Sequence, residues 1–221
     1  MRTINLAHGE RMKDKHIQIR IKQCLELAEA SNCPRRKFGA LLLDPHRNVV
    51  LIDAYNGGPR GGGDLCNGIW CKRDGAPSTD WRDYTTVNVE GQIHITHQGR
   101  HLTTMPDNGS SEELIQDFIK MNPPIASGTQ IEHGCHHAEM NIICNAAANG
   151  IRTSNSWLIV TGEPCIMCAK LIHHAGIEKV ICVRGGYHGG DQGIQYLQSH
   201  SIQVDFVDGP KDPRSTTTSG L

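Results

Sequence analysis

The 221-residue chain lacks an excess of charge of either sign: 22 lysines and arginines stand against 23 aspartates and glutamates, a formal net charge of −1. That balance excludes the broad basic field that holds a nucleic acid polymer and favours a small ligand or a locally charged pocket. Also lacking is any stretch near the roughly twenty apolar residues that a membrane span needs. Met1 to Lys15 is polar, without the apolar heart of a secretory signal. A soluble, cytoplasmic protein with no membrane partner is therefore expected. Only one C-x-x-C is present, and neither Cys135 nor Cys144 supplies a second, which argues against a closed structural zinc corner of four cysteines. The nine cysteines are odd in number and are read as metal ligands and buried thiols of a reducing compartment, not as bridges.

What the chain does have is a pair of short motifs, Cys135-His136-His137-Ala138-Glu139-Met140-Asn141 and Pro164-Cys165-Ile166-Met167-Cys168. One histidine and two cysteines are the three ligands of a catalytic zinc that keeps its fourth position open. Pro164 suits the start of a helix, so Cys165 and Cys168 fall in one turn, on one face, beside the positive helix end that favours thiolate. His137 and Glu139 are two apart at the start of another helix and point in different directions. One can hold the metal while the other, as proton carrier, faces what the metal activates. This division of labour is the plan of the zinc-dependent deaminases, whose signature pairs H-x-E with P-C-x-x-C.

The remaining pattern is α/β. Ile17, Ile21, Cys24, Leu25 and Ala28 mark an amphipathic helix over residues 13–30. Phe38 to Leu43 and Asn48 to Ala54 are apolar runs separated by Asp44-Pro45-His46-Arg47, which predicts a hairpin. After it come the glycines of Tyr55 to Gly63 with Arg60, a loop suited to phosphate or merely a turn. Residues 67–131 have a weaker pattern and are read as an ordered insertion, with a strand or hairpin over Val87 to Ile95 and a helix over Glu112 to Met121. From 138 on, helix, strand, helix, strand, helix, strand (138–149, 156–161, 165–175, 179–183, 191–199, 202–207) predicts parallel pairing and helices on both faces. The expectation is a single domain over 1–207, a three-layer fold with a central mixed five-stranded sheet, and a disordered tail over 208–221.

These residues resemble the deoxycytidylate (dCMP) deaminases of the cytidine deaminase superfamily in their phage and bacterial form. The carriers are Phe38-Gly39-Ala40, Ala54-Tyr55-Asn56-Gly57-Gly58-Pro59, Ser127-Gly128, His137-Ala138-Glu139-Met140-Asn141, Pro164-Cys165-Ile166-Met167-Cys168-Ala169-Lys170 and Tyr187-His188. The resemblance implies hydrolysis of dCMP to dUMP, zinc on His137, Cys165 and Cys168, and Glu139 passing a proton to N3 of cytosine and then to the departing ammonia. It implies substrate contacts at Asn56, Ala138 and Tyr187, and for the substrate phosphate the run Arg35-Arg36-Lys37 with Arg60. It further implies a homohexamer, activated by dCTP and inhibited by dTTP with magnesium on the triphosphate, through a loop here formed by Ala54, Tyr55, Asn56, Gly57 and Arg60. Ala54 stands where the family has glycine, costly if that position needs a positive φ. A second, structural zinc is implied at Cys33 and Cys66; His94, His97 and His101 could complete it, His97 and His101 by their helical spacing. Deaminases of tRNA adenosine, guanine or the riboflavin pathway share the zinc motif, and a non-catalytic zinc scaffold is the alternative of a different class.

Overall fold

A computed structural model describes residues 12–58, 71–125, 135–184 and 191–208. The described residues divide into two compact units. One comprises 12–31, 37–56, 136–184 and 191–208; the other comprises 32–36, 57–58, 71–125 and 135.

The first unit is built on a sheet of five strands. β1 (Gly39–Asp44) and β2 (Val49–Tyr55) form the hairpin, its turn held by Asp44, whose Oδ1 accepts from the backbone N–H groups of His46 and Arg47. β6 (Trp157–Val160), β7 (Lys179–Arg184) and β8 (Gln203–Asp208) complete the order β2-β1-β6-β7-β8. β1 runs antiparallel to β2 and β6, while β6, β7 and β8 are parallel, so the sheet is mixed as expected. Central strands buried on both faces read as unbroken apolar runs, which is why Gly39–Leu43 and Trp157–Val160 show no alternation.

Helices cover the two faces. α1 (Asp14–Ala28) lays Ile17, Ile21 and Cys24 on the face bearing Leu41, Leu43 and Ile159. On the other face α3 (Ala138–Ala148), α4 (Ile166–His174) and α5 (Asp191–Ser199) bring Ile142, Ile172 and Leu197 against Leu42, Leu158 and Val180. Gly39 lies where α1 presses on β1: a Cβ there would stand 2.4 Å from the Cys24 carbonyl oxygen. Lys179 is fully buried on β7, its ammonium 2.5 Å from Asp205 and over the Trp157 ring at 4.6 Å, so its charge has an acid and an aromatic face as partners.

The second unit holds a three-stranded antiparallel sheet, β3 (Tyr84–Val89), β4 (Gln92–His97) and β5 (Arg100–Pro106), and α2 (Ser111–Met121). Ser110 and Glu113 form a reciprocal capping box at the start of α2. Tyr84, Ile95, Leu102, Leu114 and Phe118 pack between sheet and helix. Two strands lie in and around the expected run Val87 to Ile95, turning at Glu90-Gly91 with both φ positive. The third strand was not visible in the pattern, because β5 reads Arg-His-Leu-Thr-Thr-Met-Pro and its bulge breaks the period-two alternation. The helical spacing expected of His97 and His101 is overturned: they lie on β4 and β5, on either side of a tight Gln98-Gly99 turn. The expected tail beyond Asp208 lies outside the described residues.

Candidate active site

Three ligand atoms converge at the start of two helices. His137 is the N-cap of α3 and Cys165 the N-cap of α4, each with extended backbone angles, and neither side chain turns back to cap its helix. Side chains at that position commonly accept a hydrogen bond from the first-turn N–H groups; here they reach toward each other instead. Cys168, one turn into α4, supplies the third atom. His137 Nδ1 lies 3.6 Å from Cys165 Sγ and 3.4 Å from Cys168 Sγ. In a zinc tetrahedron with Zn–S near 2.3 Å and Zn–N near 2.0–2.1 Å, sulfur and nitrogen stand about 3.5 Å apart. The donor set and its spacing therefore fit zinc. Among the described residues this is the one group of three or more His, Cys, Asp or Glu side chains with ligand atoms so close together.

The thiols are prepared for a cation. Cys165 is pulled down to about 4, chiefly by a hydrogen bond from Cys168 and also by His137, against the opposing effect of burial. Cys168, on the donating side of that bond and buried, is pushed up. One side chain of the pair is thus readily a thiolate, the form that binds metal. Glu139, in the first turn of α3, is 7 % exposed. Burial pushes its carboxyl up to about 6, while its own backbone N–H, His137 and the Cys168 side chain pull the other way. A buried carboxyl with a raised pKa beside three converging ligand atoms has the surroundings that suit a proton carrier. Ala138, at the first position of α3, is buried in the core below.

The loop after β2 is tied to this site by side chains. Asn141, four residues after His137, donates from Nδ2 to the Tyr55 carbonyl at 2.8 Å. Ser31 donates to the Asn56 carbonyl at 2.8 Å, and Asn56 Oδ1 accepts from the Phe38 N–H at 2.7 Å. Asn56, expected at the sugar, thus has its side-chain oxygen engaged in fixing the entry of β1. Ala54 is buried within β2, paired with Ala40 and free of positive φ, so the methyl in place of glycine costs no backbone strain. Tyr55 is exposed at the strand end and Gly57 follows it. Of the expected phosphate run, Lys37 pairs with Glu29 at 2.8 Å and Arg35 with Asp74 at 3.1 Å, both as exposed ion pairs; Arg36 is half-buried. Tyr187, Arg60 and Cys66, with Ser127-Gly128 and His188, lie outside the described residues. Cys33 belongs to the second unit, as do His97, whose ring meets Tyr84, and His101.

Two residues that matter here were not singled out from the sequence. Asn141 was visible only as part of a motif. Gly193 of α5 carried no signal, yet α5 approaches the Pro164 carbonyl so closely that only glycine fits.

A three-layer α/β unit carrying a His-Cys-Cys centre and a buried glutamate at two helix starts is the plan of a zinc-dependent deaminase. The model of the family "Cytidine and deoxycytidylate deaminase zinc-binding region" matches residues 14–184, and the chain belongs to that family. Over 157 residues, 70 % of this chain and 70 % of the relative, it is 28 % identical to the deoxycytidylate deaminase of Enterobacteria phage T4. A shorter similarity, 36 % over 76 residues (31 % of this chain, 44 % of the relative), is to the tRNA-specific adenosine deaminase of Haemophilus influenzae. The fold is that of the dCMP deaminase from cyanophage S-TIM5 solved with dCMP and dUMP, with a TM-score of 0.55 at 21 % identity, covering 89 % of this chain and 99 % of the other. No helix among the described residues is long and apolar enough to cross a membrane.

Proposed function

We propose that the enzyme hydrolyses the exocyclic C–N bond of dCMP, consuming water and releasing dUMP and ammonia. What carries this reading is the similarity to phage deoxycytidylate deaminases over 70 % of the chain, well beyond the zinc motifs. In this reading His137 Nδ1 and the sulfurs of Cys165 and Cys168 hold zinc, which supplies Lewis acidity toward water. Glu139 moves the protons: its carboxyl takes one, delivers it to N3 of the cytosine ring and then serves the leaving amine. Its burial keeps bulk water from competing for that proton. Asn56, Ala138 and Tyr187 contact the nucleotide, and the run Arg35-Arg36-Lys37 with Arg60 serves its phosphate.

The regulatory part of the proposal is activation by dCTP and inhibition by dTTP, each with magnesium, in a homohexamer of a cytoplasmic enzyme. The absence of strain at Ala54 supports a working effector loop. Following the absorbance change of dCMP deamination, with dCTP and magnesium, with dTTP and magnesium, and with neither, tests both parts. Turnover should rise with the first and fall with the second. A zinc-loaded protein that leaves dCMP untouched and deaminates adenosine in tRNA would replace this reading with that of the shorter relative.

Asn141 supports the same reading as a positioning residue. Asn141→Ala removes the bond to the Tyr55 carbonyl, worth about 0.5–1.5 kcal/mol, so KM for dCMP should rise about three- to tenfold with kcat nearly unchanged and zinc retained. A fall in kcat with an unaltered KM would show that the bond serves the metal helix and not the substrate loop.

A further inference from the structure

The β4–β5 hairpin carries a second convergence of donor atoms. Its register shifts between Ile95 and Thr96: Thr103 pairs with Ile95, but His101 pairs with Thr96, so one extra residue sits on β5. Strict alternation would send His101 to the face opposite Thr104. The bulge instead lets Leu102 remain in the core and turns His101 out to the solvent face, where Thr104 and His94 already lie. His94 Nδ1 is 3.3 Å from His101 Nε2, and the Thr104 hydroxyl is 3.2 Å from the first and 3.0 Å from the second. Two imidazole nitrogens on one tetrahedral zinc stand about 3.3 Å apart, given Zn–N near 2.0–2.1 Å. These three atoms outline one face of a coordination shell, open to water on its other side.

Another group of histidines among the described residues is arranged differently. On α4 and just after α5 the rings of His173 and His200 approach to 4.6 Å, but both Nδ1 atoms are engaged by Tyr196, one with its hydroxyl and one with its carbonyl. There both Nδ1 atoms are turned to Tyr196, whereas on the hairpin His94 Nδ1 and His101 Nε2 converge on each other.

We propose that His94 and His101 form a metal site for a borderline divalent cation such as zinc, nickel or copper(II), with the Thr104 hydroxyl at the third corner and water beyond it. Imidazole is the ligand suited to these ions. The site joins β4 to β5 across the bulge, and so braces the sheet that packs on α2. It differs from the cysteine-based second zinc that the family resemblance implies: neither Cys33 nor His97 takes part, and its bite depends on the bulge.

Equilibrium dialysis of the full chain against zinc is the test, with total metal measured by atomic absorption. The protein should take up one equivalent more than a His94→Ala/His101→Ala variant, which keeps its deaminase activity and its remaining zinc. His200→Ala should take up as much as the parent. On the unaltered protein, copper(II) should give an electron paramagnetic resonance spectrum with coupling to two imidazole nitrogens, lost in His101→Asn. Equal zinc uptake by the parent and the double variant, or a copper spectrum unchanged in His101→Asn, would overturn the proposal.

Discussion

Replacing Glu139 by glutamine should lower kcat for dCMP by about 10³-fold, within the 10²–10⁴-fold that positioned general acid–base groups contribute, while zinc content stays at the parent level. Glutamine fills the same buried volume at the start of α3 and keeps polar atoms near the Cys168 side chain, but it carries no transferable proton. The three ligand atoms belong to other residues, so the metal should remain. His137→Ala makes the contrasting case: it removes a ligand, and activity and zinc should fall together. Steady-state rates and atomic absorption on both variants separate the two roles. If Glu139→Gln lost zinc as well, Glu139 would be a support of the metal helix, and if it kept full activity the proton carrier would have to be another group.

That contrast also marks how far the site could be read from the sequence. His137, Glu139, Cys165 and Cys168 were legible because each pair lies within one helical turn, and local geometry alone decides which side chains can meet. The sheet was legible for a similar reason: buried parallel strands between helices leave long apolar runs and glycine stops at Gly150 and Gly176, both at positive φ. What escaped was tertiary. Lys37 and Arg35 stand in a basic run, and nothing in that run signals their pairing with Glu29 and Asp74. The Asn56 side-chain oxygen is engaged by the N–H of Phe38, eighteen positions away in the chain. His97 and His101 suggested a helical pair, and a two-residue turn placed them on separate strands, while a bulge with no sequence signature brought His101 to His94. Spacing within a turn of helix is carried by the sequence; the partners of a side chain across the fold are not.

Gly193→Ala is the sharpest case of that second kind, because propensity and packing predict opposite signs. In an open helix the change from glycine to alanine favours folding by about 0.8–1.0 kcal/mol. In α5 the added Cβ would stand 1.9 Å from the Pro164 carbonyl oxygen, 2.9 Å from its carbon and 3.0 Å from the Cys165 carbonyl carbon, all of them backbone atoms. No rotamer change can relieve such contacts, so either α5 shifts or the Pro164–Cys165 segment does. Overpacking of this kind costs about 1–3 kcal/mol, enough to outweigh the propensity gain. The second effect follows from where the clash falls. Cys165 is both the N-cap of α4 and a metal ligand, so displacing its backbone moves Sγ away from His137. Loss of support behind a ligand typically weakens metal binding about 10- to 100-fold. Gly193→Ala should therefore melt at a lower temperature than the parent and surrender its zinc at a lower chelator concentration, with activity restored by added zinc. A variant more stable than the parent, holding zinc equally well, would mean that α5 has room to move and that glycine is not required at position 193.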